Sequence, residues 1–147
     1  MYGVPSDSSC ILRIDPQTDA VTTFGHGCVP SDKNKWQGGV LAPDGCVYCI
    51  PADARSVLRI DTNPGVIDAG LEAAAAAVTL IGDLPETKDK WQGGFLGSDG
   101  AIYGVPECAD HVLKVIPGAD KSIPCQVLQL DDYEGAIAAL PAVSGQQ

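Results

Sequence analysis

Cysteine and histidine are the side chains of this 147-residue sequence best suited to bind a metal or to act as a nucleophile with its base. Among its six cysteines, only Cys46 and Cys49 have a spacing typical of metal sites. Residues three apart on a β-strand point to opposite faces of the sheet, and no second close cysteine pair supports a chelate. The sequence therefore predicts no metal site here. Cys10 and Cys28 are the pair that we would test for a disulfide.

His26 and His111 are the two histidines, and they belong to different parts of the chain. Neither has a serine or cysteine beside it in a nucleophile motif, although a catalytic triad is assembled in space and the sequence does not exclude one. The Gly-Gly pairs lack the Lys-Ser/Thr context and the following helix of a phosphate-binding loop. The sequence therefore predicts no catalytic residue, no metal ligand set and no cofactor.

Binding is the remaining kind of chemistry, and its candidates lie in and around a motif that occurs twice. Lys-Trp-Gln-Gly-Gly stands at Lys35–Gly39 and again at Lys90–Gly94. Its tryptophans either wedge between neighbouring sheets, with the indole N–H on a carbonyl, or line a binding rim. Positions at which the copies differ are further candidates. The predicted binding residues are Lys35, Trp36, Arg55, Lys90, Trp91 and His111.

The same motif begins a repeat, and the repeat must position these residues. After each motif come apolar residues, an Asp-Gly pair, an aromatic-apolar-Pro segment and an apolar-basic-apolar segment. Three copies align, the first of which begins at Tyr2 without the motif. Asp7 and Asp53 are equivalent positions, and the third copy has Cys108 there. An insertion over Pro64–Ala77 in the second copy is rich in alanine, which indicates a short helix.

Each copy holds short runs of valine, isoleucine, leucine and aromatic residues separated by Asp, Gly and Pro, which predicts strands. Asp-Gly predicts a tight hairpin turn with positive φ at both residues. The paired glycines suit an inner strand, where neighbouring sheets crowd together. The repeat therefore predicts an all-β fold: a partial β-propeller of about three four-stranded antiparallel blades, with a short helix possible in the insertion. A two-sheet sandwich is the alternative, but it gives no reason to repeat one turn and one tryptophan.

We predict a single domain over residues 1–147. Blade one has strands B to D in residues 1–25, blade two covers 36–82, blade three covers 91–130, and a tail covers 131–147. Within the tail, Glu134–Pro141 echoes the inner strand, so it is either a donated strand or a terminal extension.

Tyr-Gly-Val-Pro, Lys-Trp-Gln-Gly, Ala-Pro-Asp-Gly and Val-Leu-Arg-Ile-Asp resemble the repeats of uncharacterised propeller proteins of unicellular algae. More distantly, the pattern is similar to gluconolactonase and senescence-marker proteins and to NHL-type propellers. The resemblance implies the fold over most of the chain up to about Leu130. The gluconolactonase-like families hold a catalytic divalent metal at the central opening, but those ligands find no residue-by-residue match here.

Three blades do not close a ring. The sequence therefore predicts partners that complete it, either other protein chains or a second copy, and the alternative is that this sequence is a piece of a longer protein. The predicted function is a non-enzymatic interaction or structural accessory subunit of a larger assembly. A metal-dependent gluconolactonase-like hydrolase, active only in a completed ring, is the alternative. Nine basic against nineteen acidic residues make nucleic-acid binding unfavourable, and no apolar run is long enough to span a membrane. The sequence does not indicate a cellular compartment.

Overall fold

In the part of the chain that the structure describes, eleven strands form three antiparallel sheets, each built from consecutive strands of one repeat. A computed structural model describes residues 1–67 and 75–118 and the backbone of 126–129. Blade one comprises β1 (Tyr2–Gly3), β2 (Ile11–Ile14) and β3 (Val21–Phe24). Blade two comprises β4 (Trp36–Leu41), β5 (Cys46–Pro51), β6 (Val57–Asp61) and β7 (Val78–Ile81). Blade three comprises β8 (Trp91–Leu96), β9 (Ile102–Pro106), β10 (His111–Val115) and β11 (Gln126–Gln129). This is the predicted partial propeller.

The inner strands β4 and β8 contain the paired glycines, and the structure explains why glycine is needed. Gly38 and Gly93 have positive φ, at 76° and 68°, and each lies within a bulge of its strand. A Cβ atom on Gly38 would lie 2.8 Å from the Cα of Gly93, so the two inner strands approach too closely for a side chain. The glycine pair thus serves both as a bulge and as a close contact between blades.

The Asp-Gly hairpins differ from the predicted turn. Gly45 and Gly100 have positive φ, but Asp44 and Asp99 do not, so the prediction of positive φ at both residues was wrong. The loop is one residue longer than the predicted two-residue turn. Each aspartate carboxylate accepts a hydrogen bond from the backbone N–H two residues later, at Cys46 or Ala101. This side-chain bond stabilises the turn while the aspartate keeps an ordinary backbone conformation.

Each of these two aspartates also accepts a hydrogen bond from the hydroxyl group of a tyrosine on the strand that follows the turn. Tyr48 donates to Asp44, and Tyr103 donates to Asp99, both at 2.7 Å. Asp99 accepts a further bond from Lys114 at 3.0 Å. Its tyrosine and lysine donors lower the pKa of Asp99 to about 2.

Two apolar cores lie between the sheets, one on each side of blade two. The first joins Ile11 and Phe24 of blade one to Leu58 and Ile60 of blade two. The second joins blades two and three. Cys49 faces the first core and Cys46 the second, which confirms that this pair points to opposite faces. The described cysteines are free thiols, so Cys10 and Cys28 form no disulfide.

The insertion begins with a short helix, α1 (Pro64–Ile67), whose Ile67 packs against the first core. Most of the alanine segment on which the helix was predicted, and the tail from residue 131, lie outside the described residues. Within the described part of the chain, no helix is long and apolar enough to cross a membrane.

Candidate functional site

The two Lys-Trp-Gln segments occupy equivalent places between successive blades. The indole N–H of Trp36 donates to the carbonyl of Ser56 at 2.7 Å, and that of Trp91 donates to His111 at 2.8 Å. Both indoles are fully buried, each in the core that joins its blade to the preceding one. This is the geometry that the wedge interpretation predicts, and it leaves very little indole surface for a ligand.

The lysines that precede them are also buried, although they are charged groups. The ammonium of Lys35 donates to the carbonyls of Ser6 and Asp32, at 2.9 and 2.6 Å. That of Lys90 donates to Thr87 at 2.8 Å. Burial lowers the pKa of both lysines, against the opposing effect of nearby aspartates. Both ammonium groups therefore bond to carbonyls of the protein. Lys35 joins its own loop to that of Ser6, whereas the described bond of Lys90 lies within its own loop.

A polar network links the inner strands of blades two and three where they begin. The amide nitrogen of Asn34 donates to Asp53 at 3.1 Å and to Asp89 at 2.7 Å. Gln37 donates to the Asn34 amide oxygen at 2.6 Å, and Gln92 donates to Gln37 at 3.2 Å. Among the described residues, no group of three or more His, Cys, Asp or Glu side chains is arranged to hold a metal ion.

An aspartate at one repeat position of blades one and two accepts a backbone hydrogen bond from the segment that leads into the next blade. Asp7 accepts the backbone N–H of Asn34 at 2.8 Å, and Asp53 accepts that of Asp89 at 2.8 Å. Asn34 and Asp89 have positive φ, at 51° and 48°, which turns these N–H groups toward the preceding blade. Blade three has the exposed Cys108 at the equivalent position, so its acceptor there is a thiol rather than a carboxylate.

Beside each tryptophan runs a groove, and the two grooves are lined by equivalent repeat positions. The first groove, beside Trp36 on blade two, has a volume of about 520 Å³, and the second, beside Trp91 on blade three, about 320 Å³. Where the first has Arg55, the second has Asp110. Arg55 pairs with Asp83 at 2.8 Å and with Glu86 at 3.7 Å on the groove's surface. The repeat therefore builds a similar groove twice and places side chains of opposite charge at one equivalent position, Arg55 and Asp110.

His111 lies in the second groove, with its Nδ1 against the carboxylate of Asp110. Its ring stands edge-on to Trp91, with 5.4 Å between ring centroids. The other ring nitrogen is buried, and no described group forms a hydrogen bond with it. His26 lies far along the chain and contacts Thr23 at 3.0 Å. The two histidines thus have separate polar partners, and the described contacts do not bring them into one site.

The six predicted binding residues are therefore divided by the structure. All six line the grooves, but Lys35, Trp36, Lys90 and Trp91 are buried there, whereas Arg55 is exposed and His111 is half-buried. Their binding roles stay a prediction. Sequence reasoning missed Asn34 and Asp89 as the residues joined by the network. Their signal was available, because a small polar residue precedes the lysine in both motifs.

Blades one and three each have an outer face, which is turned away from blade two, and an inner face, which packs against it. Both kinds of face carry apolar residues, but those on the outer faces are more exposed. We call the face of a blade turned toward the next blade in sequence its forward face. Ile50 is 0% exposed on the forward face of blade two, where its side chain lies against Gly94 and Gly104 of blade three. Its equivalent on blade three, Val105, is 41% exposed, and Phe95 on the inner strand is 72% exposed.

The backward face shows the same contrast. Leu58 and Leu113 are both 0% exposed, because each packs against the preceding blade. The equivalent Leu12 of blade one is 37% exposed. In addition, β1 pairs only with β2, and no described strand lies on its other edge. Blades two and three have an inner strand at that edge.

Comparison with known proteins identifies the fold. No family model and no curated protein sequence matches this chain. Among solved structures, a catalytically inactive virginiamycin B lyase from Staphylococcus aureus with quinupristin is similar, with a TM-score of 0.57 and 15% identity over 81% of this chain and 35% of that chain. A streptogramin B lyase is similar with a TM-score of 0.57 and 12% identity, over 81% of this chain and 34% of that chain.

The chain thus spans about a third of the length of these lyases. At such low identity the similarity extends to the fold alone, and it confirms the all-β partial propeller. The resemblance to algal propeller proteins and to the gluconolactonase group remains a prediction.

Proposed function

We propose that this chain is a non-enzymatic interaction module, a structural or accessory part of a larger assembly in which its two outer blade faces are covered by protein. The observation that carries the proposal is the contrast between equivalent side chains. Val105 and Leu12 occupy the positions of Ile50 and Leu58, which are buried between blades, but they remain partly exposed.

The physical reason is the hydrophobic effect. Covering a valine, leucine or phenylalanine side chain completely is worth about 1.5–3 kcal/mol relative to leaving it in water. Phe95 and Val105 share the open face of blade three, and each has a repeat equivalent that contributes to a contact between blades. A partner that packs there gains the same type of contact that the chain already makes twice within itself.

The free edge of β1 supports the same conclusion. An unpaired strand edge presents backbone N–H and C=O groups that pair readily with another strand. Blade one therefore offers both an apolar face and a backbone edge, and a protein partner can satisfy both at once.

Site-specific photo-crosslinking in the native cells tests the proposal. A photoreactive residue at position 105 or 12 should yield covalent adducts with protein. The same residue at position 80 should not, because Leu80 is exposed on the outer strand of blade two, away from both open faces. Absence of adducts at 105 and 12, or equal adducts at 80, would contradict a module that docks through its blade faces.

Metal analysis of the purified chain separates the module from a metal-dependent hydrolase. The proposal expects less than stoichiometric divalent metal after dialysis against buffer without chelator. One tightly held divalent ion per chain would favour the hydrolase instead.

A further inference from the structure

The chain shows twice how an inner strand is held in its blade. The backbone N–H groups of Ala52 and Ala54 both donate to the carbonyl of Lys35, at 2.9 and 3.1 Å. In blade three, Glu107 and Ala109 donate in the same way to Lys90, at 3.0 and 3.1 Å. The carbonyl of the lysine that precedes the inner strand thus accepts two hydrogen bonds from the loop after the second strand.

The tryptophan that follows the lysine is held by a second set of contacts. Its indole N–H donates to a carbonyl where the third strand of the blade begins, at Ser56 or His111. It shares a core with the leucine of that strand, Leu58 or Leu113, which is fully buried. These contacts recur, so they define what an inner strand of this type requires from its blade.

Blade one contains the receiving half of this arrangement. Ser6 and Ser8 are equivalent to the two donors, Cys10 to the indole acceptor, and Leu12 to the buried leucine. The N–H of Ser6 donates instead to the carbonyl of Val4 within its own loop, at 3.1 Å. Leu12 is partly exposed, and the far edge of β1 pairs with no described strand.

We propose that this edge of blade one binds a β-strand of the sequence type Lys-Trp-Gln-Gly followed by an apolar residue, supplied from outside this 147-residue sequence. The registers of β4 with β5 and of β8 with β9 place the tryptophan opposite Pro5, the second glycine opposite Gly3, and the apolar residue opposite Tyr2. A second copy of this chain is a poor donor, because both of its Lys-Trp strands are already paired within their own blades. The inference rests on the proposed function and names the partner's docking element.

A peptide with the sequence of residues 32–42 tests the inference on the full chain. It carries the motif in its natural flanks, and a dye at its end allows binding to be followed by fluorescence anisotropy. We expect saturable binding, and binding about tenfold or more weaker for the same peptide with Trp36→Ala, since buried tryptophans dominate contacts of this kind.

Two variants of the chain provide the matched comparison. Leu12→Asp places a charge in the proposed indole site and should weaken peptide binding by about tenfold or more. Leu80→Asp makes the same change at a similarly exposed leucine on β7 and should leave binding unchanged. If Leu12→Asp does not fold, amide exchange of the unmodified chain replaces it: the peptide should slow exchange at Ser6 and Ser8, and the Trp36→Ala peptide should not.

Several results would overturn the inference. These are the absence of saturable binding, equal affinity of the two peptides, or displacement of the peptide by unlabelled chain, which would make a second copy the occupant of the edge. The proposed function has a separate test, because crosslinks at position 105 concern the opposite face of the molecule. Loss of peptide binding with those crosslinks intact refutes the strand-docking inference alone.

Discussion

Replacing Trp36 tests whether the inter-blade wedge holds the blades together. The indole is 1% exposed, and a buried tryptophan removes roughly 150–250 Å² from water. At about 25 cal/mol per Å² this area corresponds to about 4–6 kcal/mol. Trp36→Ala should therefore lower the free energy of unfolding by about 3–5 kcal/mol, which is the usual range for this substitution in a core.

Trp36→Phe separates the hydrogen bond from the apolar contact. Phenylalanine retains most of the buried area but leaves the Ser56 carbonyl without its indole donor. An unsatisfied buried polar group costs about 1–3 kcal/mol, so this variant should lie between the wild type and Trp36→Ala. The equivalent changes at Trp91 should cost similar amounts, because that indole has the same partners in the next blade.

Equilibrium urea unfolding followed by far-ultraviolet circular dichroism is the appropriate assay, since tryptophan fluorescence would change with the substitution itself. Phe95→Ala is the control: this large aromatic side chain is 72% exposed, and its loss should change stability by no more than about 0.5 kcal/mol. If Phe95→Ala and Trp36→Ala lowered the free energy of unfolding equally, with an unchanged slope against urea concentration, the interpretation of Trp36 as a wedge between blades would be refuted.

Three further predictions concern the backbone, a thiol and a carboxylate. Gly38→Ala should destabilise the chain clearly more than Gly93→Ala in the same unfolding assay, because both have positive φ but only at Gly38 would the added Cβ strike backbone. A thiol reagent at pH 8 should modify Cys108 rapidly and Cys49 only on unfolding, because Cys108 is exposed and burial raises the pKa of Cys49 to about 12. Mass spectrometry measures both rates of modification, and equal rates would contradict this prediction. Since the pKa of Asp99 falls from 3.8 to about 2 on folding, its stabilising effect is present above pH 4 and disappears as the pH falls toward 2. The difference in urea midpoint between wild type and Asp99→Asn should shrink over that range, and a constant difference would contradict the assigned shift.

The repeat made the architecture predictable from sequence. Strand order, blade membership and the place of both tryptophans follow from the alignment of the copies, because a repeated segment of one composition folds into one unit. The turn conformation was less accessible. Asp-Gly is compatible with several hairpin loops, and the choice depends on a hydrogen bond from the backbone N–H of Cys46 to the Asp44 carboxylate, which composition does not reveal.

The candidate site was predicted less well than the fold, for a physical reason. The buried lysines are long charged residues, which sequence statistics place at the surface. Only the fold shows that carbonyls from Ser6, Asp32 and Thr87 surround their ammonium groups. The network around Asn34 was predictable only in part: a small polar residue precedes each lysine, but Asn34, Asp53 and Asp89 are far apart in sequence and meet only where two inner strands begin.

Exposed apolar residues alone are weak evidence for an interface, since much of any protein surface is apolar. The internal repeat supplies a stronger comparison. Leu12 has the same residue type as Leu58 and Leu113, although only the latter two are buried by a neighbouring blade. Val105 retains an aliphatic side chain at the position of Ile50. A face that stayed in contact with water would gain nothing from the apolar chemistry of the inner faces. The open faces of blades one and three therefore carry apolar residues at positions that form contacts between blades elsewhere in the chain, which supports the proposed cover by protein.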